Sequence, residues 1–217
     1  MRQILRKPIN YNLLLLFFTL SILCSAQEWY EPSLKISNKT ADTAQNIQTL
    51  RSLLVYYQRL SESEPQLWMP YYYQSYIYYK LADDRNEKVN KSENLKRALL
   101  IISLSRKSFM ENIEVSALYI LILNECLRSG IIQNSAENHK LIQEAMEPVS
   151  ENPRMLIAQT HYLLSDTINN RKLLSALEPR LIAFHKDSAR TFFENRHSPS
   201  WGFAETDYLL GKLKDLN

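Results

Sequence analysis

EPQLWMPYYYQSYIYYKL, residues 64–81, is the stretch whose reading decides the fold. Pro65 and Pro70 bracket a helix start, because a proline in the first turn loses no hydrogen bond. From Pro70 to Ala82 no Gly or further Pro intervenes, so residues 70–82 make about three and a half helical turns. On that helix Trp68, Tyr72, Tyr76 and Tyr79 fall on one side, and Leu67, Tyr71, Tyr78 and Leu81 on another. A helix apolar on two sides needs neighbours on two sides, as in the middle of a helical stack. Inter-helix packing accounts for most of these rings. A tyrosine also carries a hydroxyl that seeks a partner. The alternative is therefore a surface row that binds peptide or glycan, formed by Tyr72, Tyr73, Tyr76, Tyr79 and the distant Trp201.

Working outward, the same periodicity recurs on both sides. Residues 27–42 read as an extended polar lead-in, followed by a helix over 43–62 with Leu50, Leu53, Leu54, Tyr57 and Leu60 in phase. The charged connector DDRNEKVNKSEN (83–94) leads to a helix near 93–108 with Leu95, Ala98, Leu99, Ile102 and Leu104 on its apolar side, capped from Ser92-Glu93-Asn94. Helices follow at 113–128, closed by Gly130, and at 136–147, opened by Asn134-Ser135. The next is at 153–165, and another starts near Asn170, which Pro179 should kink or split. After Trp201-Gly202 a closing helix runs to about Leu216. Only three glycines occur and no alternating strand pattern, so the expectation is an all-α fold with no phosphate-cradling loop.

The N-terminus reads differently. Arg2, Arg6 and Lys7 precede an apolar run from Leu13 to Leu23, and Cys24-Ser25-Ala26 supplies the small residues of a signal-peptidase site. Residues 1–26 are therefore expected to be a secretory signal, cleaved after Ala26. The apolar run is short for a span, which needs about 20 residues. Acylation at Cys24 is the alternative, disfavoured by the bulky Leu23 before it. Taking away Arg2, Arg6 and Lys7 brings the 26 basic side chains level with the 23 acidic ones. The basic balance belongs to the targeting segment, and a nucleic-acid footprint is not expected. The mature chain of about 190 residues suffices for one domain with a real core. It retains Cys126 alone, which forms no internal disulfide and reads as a small buried hydrophobe.

The spacing of these helices resembles a tetratricopeptide (TPR) repeat array. Glu64-Pro65 and Asn152-Pro153 match the repeat's ending before an aromatic helix; Tyr71, Ser75 and Tyr78 fall at its large, small and second-aromatic positions, and Ala98 at the small position of the partner helix. Starts near 65–70, 112 and 153 give spacings of about 40–47 residues, longer than the repeat's usual length, with the charged connector supplying part of the excess. The order Ser25-Ala26-Gln27, the Trp68–Tyr76 helix, Asn152-Pro153-Arg154 and Pro199-x-Trp201-Gly202 is similar to that of exported bacterial TPR-like proteins. The resemblance implies an α-α solenoid of about three to four degenerate helix pairs over residues 43–217. It implies no catalytic residue.

Searching for chemistry yields little. His139, His161, His185 and His197 form no HExxH and no i, i+4 pair with a nearby acid, and Glu194-x-x-His197 lacks the second such pair of a di-metal bundle. No metal and no cofactor are expected. Trp201 reads first as an anchor for the last helix against Phe192 or Phe193. The expected function is a non-catalytic, exported, periplasmic interaction module for a peptide or protein partner. The alternatives are a glycan-binding envelope protein, or an enzyme assembled from Glu194, His197 and His185.

Overall fold

The computed structural model describes residues 33–82, 90–146, 152–186, 199 and 201–216. Residues 1–26, expected to be a secretory signal, with Cys24, part of the 83–94 connector, and Phe192, Phe193, Glu194 and His197 lie outside the described residues. The chain divides into two units after Ser37, and the packing below concerns the second, Asn38–Asn217.

Among the described residues every regular element is helical and there is no strand. Residues 33–43 (α1) are followed by α2 (Ile47–Ser63), α3 (Trp68–Leu81), α4 (Lys91–Ser108), α5 (Ile113–Arg128), α6 (Ala136–Met146) and α7 (Pro153–Leu163). A 3₁₀ turn at Leu164–Asp166 leads into α8 (Thr167–His185), and α9 spans Phe203–Lys214. None of the described helices is long and apolar enough to cross a membrane.

Each helix packs on its successor from α2 to α6, and α7 packs on α8. A second set of contacts skips one element: α3 touches α5, α5 packs on α7, and α7 touches α9, which also lies against α8. Helix α5 sits at the centre, and from Glu114 to Cys126 only Glu125 escapes full burial. Ser75 on α3 and Ala98 on α4 are both fully buried, and these two helices pack on each other.

Several boundaries differ from the sequence reading. Residues 33–42 are helical, not extended; the buried position Asn38 is polar, which hides the helical pattern from a reading of the sequence. Asn38 is satisfied internally: Tyr57 Oη donates to its Oδ1 at 2.7 Å. Lys80 Nζ donates to the carbonyls of Ala41 and Asp42 at 2.9 and 3.1 Å, placing a cation at the carbonyl end of α1. Helix α4 is entered through Asn90 without a side-chain cap, two residues earlier than Ser92-Glu93-Asn94 suggested. Pro179 does not split α8. It lies on the exposed side, so the Ser175 carbonyl that loses its N–H partner faces solvent, while Leu174, Leu177 and Leu181 hold the opposite face in the core.

The end of α5 shows why Gly130 is needed. Its N–H bonds to Leu127 O at 3.0 Å and the Ile131 N–H to Cys126 O at 2.9 Å, which together close a Schellman motif. Gly130 sits at φ 67, a conformation costly to any residue with a Cβ. Gly130→Ala is expected to lower the unfolding free energy by about 1 kcal/mol through backbone strain alone, since no neighbouring atom lies where the methyl would go. Urea unfolding followed by circular dichroism reads this as a lower midpoint at unchanged slope.

Candidate functional site

The N-terminal ends of α3, α5 and α7 and the segment entering α9 converge on one buried cluster. Asn112 and Asn152 cap α5 and α7, each accepting two backbone N–H bonds on its side-chain oxygen. Two residues after each cap stands a charge: Glu114 on α5 and Arg154 on α7. Arg154 is fully buried and pairs with Glu114 through both Nε and Nη2, the latter at 2.6 Å. Asn152 Nδ2 adds a third donor to the same carboxylate at 2.6 Å. Burial opposes the charge on Arg154, but the Glu114 carboxylate outweighs it and holds the guanidinium above its ordinary range.

The aromatic residues singled out from the sequence are largely in this interior. Tyr72, Tyr73, Tyr76 and Trp201 are buried, and Tyr79 is half-buried. The first four therefore form no exposed ligand surface here; their rings pack on one another. Trp201 stacks on Tyr76 at 5.4 Å between centroids and donates from Nε1 to Tyr72 Oη at 2.6 Å. Tyr73 stacks on Tyr57 at 5.1 Å. Burial first, then nearby carboxylates, raise all three tyrosine hydroxyls well above their ordinary range, so they act as neutral hydrogen-bonding groups. Trp201 is the anchor that the sequence suggested, but it lands on α3, 129 positions back in the chain. Gly202, at φ 118, makes the turn that aims the indole inward while its carbonyl accepts from Thr206.

Other candidate groups are scattered. His161 stacks on Tyr208 at 6.2 Å, and burial, against the partial support of Glu125, pushes its pKa down to about 4. His139 lies between Tyr162 and Asn134. His185 pairs with Asp207 and stacks on Phe203. The other two members of the assembled enzyme site, Glu194 and His197, lie outside the described residues. Cys126 is buried, its thiol pushed up to about 12 by desolvation, which keeps it from being a thiolate nucleophile. Among the described residues no three His, Cys, Asp or Glu gather as a metal site.

The outer side of α4 is what the sequence reading missed. Leu95, Ala98 and Ile102 face the core, whereas Leu100 and Leu104, one turn apart, are 61% and 56% exposed. Met110, just past the helix, is 74% exposed. Leu104 had been grouped with the inward residues. The signal available was an excess of apolar positions between Lys96 and Lys107, too many for one face of a helix. Compared with protein-family models, curated proteins and solved structures, the chain finds no match.

Two outcomes test this account. Glu114→Ala is expected to cost about 3–5 kcal/mol by taking the carboxylate away from the buried Arg154 charge, whereas the paired replacement Glu114→Met with Arg154→Met costs far less; chemical denaturation of both separates a buried pair from a merely well-packed site. His161 gives a pH dependence. Its folded pKa lies below its unfolded value, so between about 6.5 and about 4 the unfolded chain holds the proton and the native chain does not. Stability should fall as pH drops through that window and level off below it, and His161→Gln should flatten this part of a thermal-melt series.

Proposed function

We propose that the chain is a non-catalytic protein-interaction module of TPR-like helix pairs, exported by its N-terminal segment, with a protein partner. The helix array supports the repeat reading. The ends of α3, α5, α7 and α9 that converge on the buried cluster are all N-terminal ends, so these four helices point the same way. Those from α3 to α7 are separated by a single return helix, as in an α-α repeat. The Asn-x-charge pattern at Asn112–Glu114 recurs 40 residues on at Asn152–Arg154. Export and a periplasmic location rest on the sequence of residues 1–26.

The observation that carries the interaction reading is the outer face of α4. Two leucines one turn apart and a following methionine stand in water although the helix already buries its other face. A helix apolar on both sides, with one side uncovered among the described residues, fits a protein that covers the second side with a partner. The burial of Tyr72, Tyr73, Tyr76 and Trp201 takes away the ring platform that a glycan would stack on, which favours the protein partner.

The test is affinity capture from the native envelope fraction with protein beginning at Gln27 and with a Leu100→Asp, Leu104→Asp variant of unchanged circular dichroism. An identified protein retained by the wild type, lost by the variant and rebound from purified components is the expected result. Identical captures by the two, or turnover of a substrate by the purified chain, would overturn the reading.

A further inference from the structure

The side chains that bracket the exposed leucines suggest what covers them. Lys96 stands one turn before Leu100 and Lys107 one turn after Leu104, both exposed, so the outer ridge of α4 reads Lys, Leu, Leu, Lys. The helix contains one carboxylate, Glu93, against five basic residues. Glu93 is taken by Arg97 at 2.7 Å, and Arg97 also reaches the Tyr78 hydroxyl on α3. Lys91 pairs with Glu125 of α5 and Arg106 lies over the Tyr119 ring of the same helix. The neighbouring helices thus engage the flanking cations, and Lys96 and Lys107 are left beside the leucines. Glu111, beyond the helix end, is the nearest further acid in the chain past Lys107.

We propose that the partner lays an acidic amphipathic helix along α4, its apolar side chains covering Leu100 and Leu104 and its carboxylates meeting Lys96 and Lys107. This rests on the interaction reading above. A ridge with one-turn spacing is matched by another helix, whose own i, i+4 side chains fill the grooves between; a strand, with its period of two, keeps only part of that register. Flanking charges of one sign select the opposite sign in the partner. An anionic bilayer would also attract the lysines. Interfacial helices insert a whole apolar face, however, and α4 has already spent its larger one on the core.

The experiment uses the protein as its own cell processes it and two fluorescent helical peptides of about four turns, each with leucines at i, i+4 flanked either by Glu or by Lys. Fluorescence polarisation should show the Glu peptide binding about tenfold more tightly than the Lys peptide, with the preference fading as salt rises. Lys96→Glu with Lys107→Glu, both at exposed positions, should reverse the preference at unchanged helicity. Equal binding of the two peptides, binding of neither, or retention of the protein by phosphatidylglycerol vesicles but not by the Glu peptide would overturn the proposal. If an identified partner is lost by the leucine variant but bound normally by the lysine variant, the acidic helix falls and the interaction module stands. If no partner depends on either, both fall.

Discussion

A charge cannot be taken out of water without a counter-charge, and at the centre of this fold that constraint falls on Arg154. The guanidinium is fully buried on α7, and the Glu114 carboxylate it pairs with is on α5. The pair therefore sets the relative position of two helices that are not consecutive in the chain. A sliding or rotation of α7 against α5 would leave a bare cation in an apolar interior, at a cost of several kcal/mol. Leucine packing alone tolerates such slippage, because one apolar contact is much like the next. The ion pair contributes register more than raw stability, and Asn152 reinforces it by serving as helix cap and carboxylate donor at once.

Around this pair the aromatic residues solve a different problem. Tyrosine fills volume as phenylalanine does, but each buried hydroxyl needs a partner. Tyr57 finds Asn38, Tyr73 finds Asp42, and Tyr72 accepts from the Trp201 indole. Each bond joins α3 or α2 to an element distant in the chain or short: α1 or the segment before α9. The side of the array formed by α3, α5, α7 and α9 is consequently filled by the protein's own side chains near their N-terminal ends. That moves attention to the outer layer, where α4 carries leucines that no part of the described chain covers.

The all-α class was legible because helical periodicity, scarce glycine and the double-sided Glu64–Leu81 stretch agree, and most of the helices fall within a few residues of their expected bounds. What escaped the sequence had physical reasons. Helix α1 buries an asparagine, whose role depends on a tyrosine nineteen positions away. Pro179 was tolerated because of the side it faces, which depends on the rest of the fold. Tyr72, Tyr73, Tyr76 and Trp201 were visible as a group, and packing was the favoured reading of most of the rings. Whether any stayed exposed depended on where the C-terminal segment returns. Leu100 and Leu104 were hidden in the opposite sense: apolar residues on a helix are assigned to the core until a structure shows the core already full.

The contact between Trp201 and Tyr72 also bears on how such a chain can change over evolutionary time. Repeat arrays ordinarily grow and shrink by whole units, since each unit touches only its neighbours. Here the last segment is tied to the first aromatic helix, and Glu114 to Arg154 across one interval. An inserted helix pair between α5 and α7 would part the ion pair and carry the indole away from its hydroxyl; a deleted pair would force the same ends past each other. The number of helix pairs is thereby frozen. Variation is left to the connectors and to the outward positions, so descendants of this chain should diverge in their outer surfaces while keeping the number of helices.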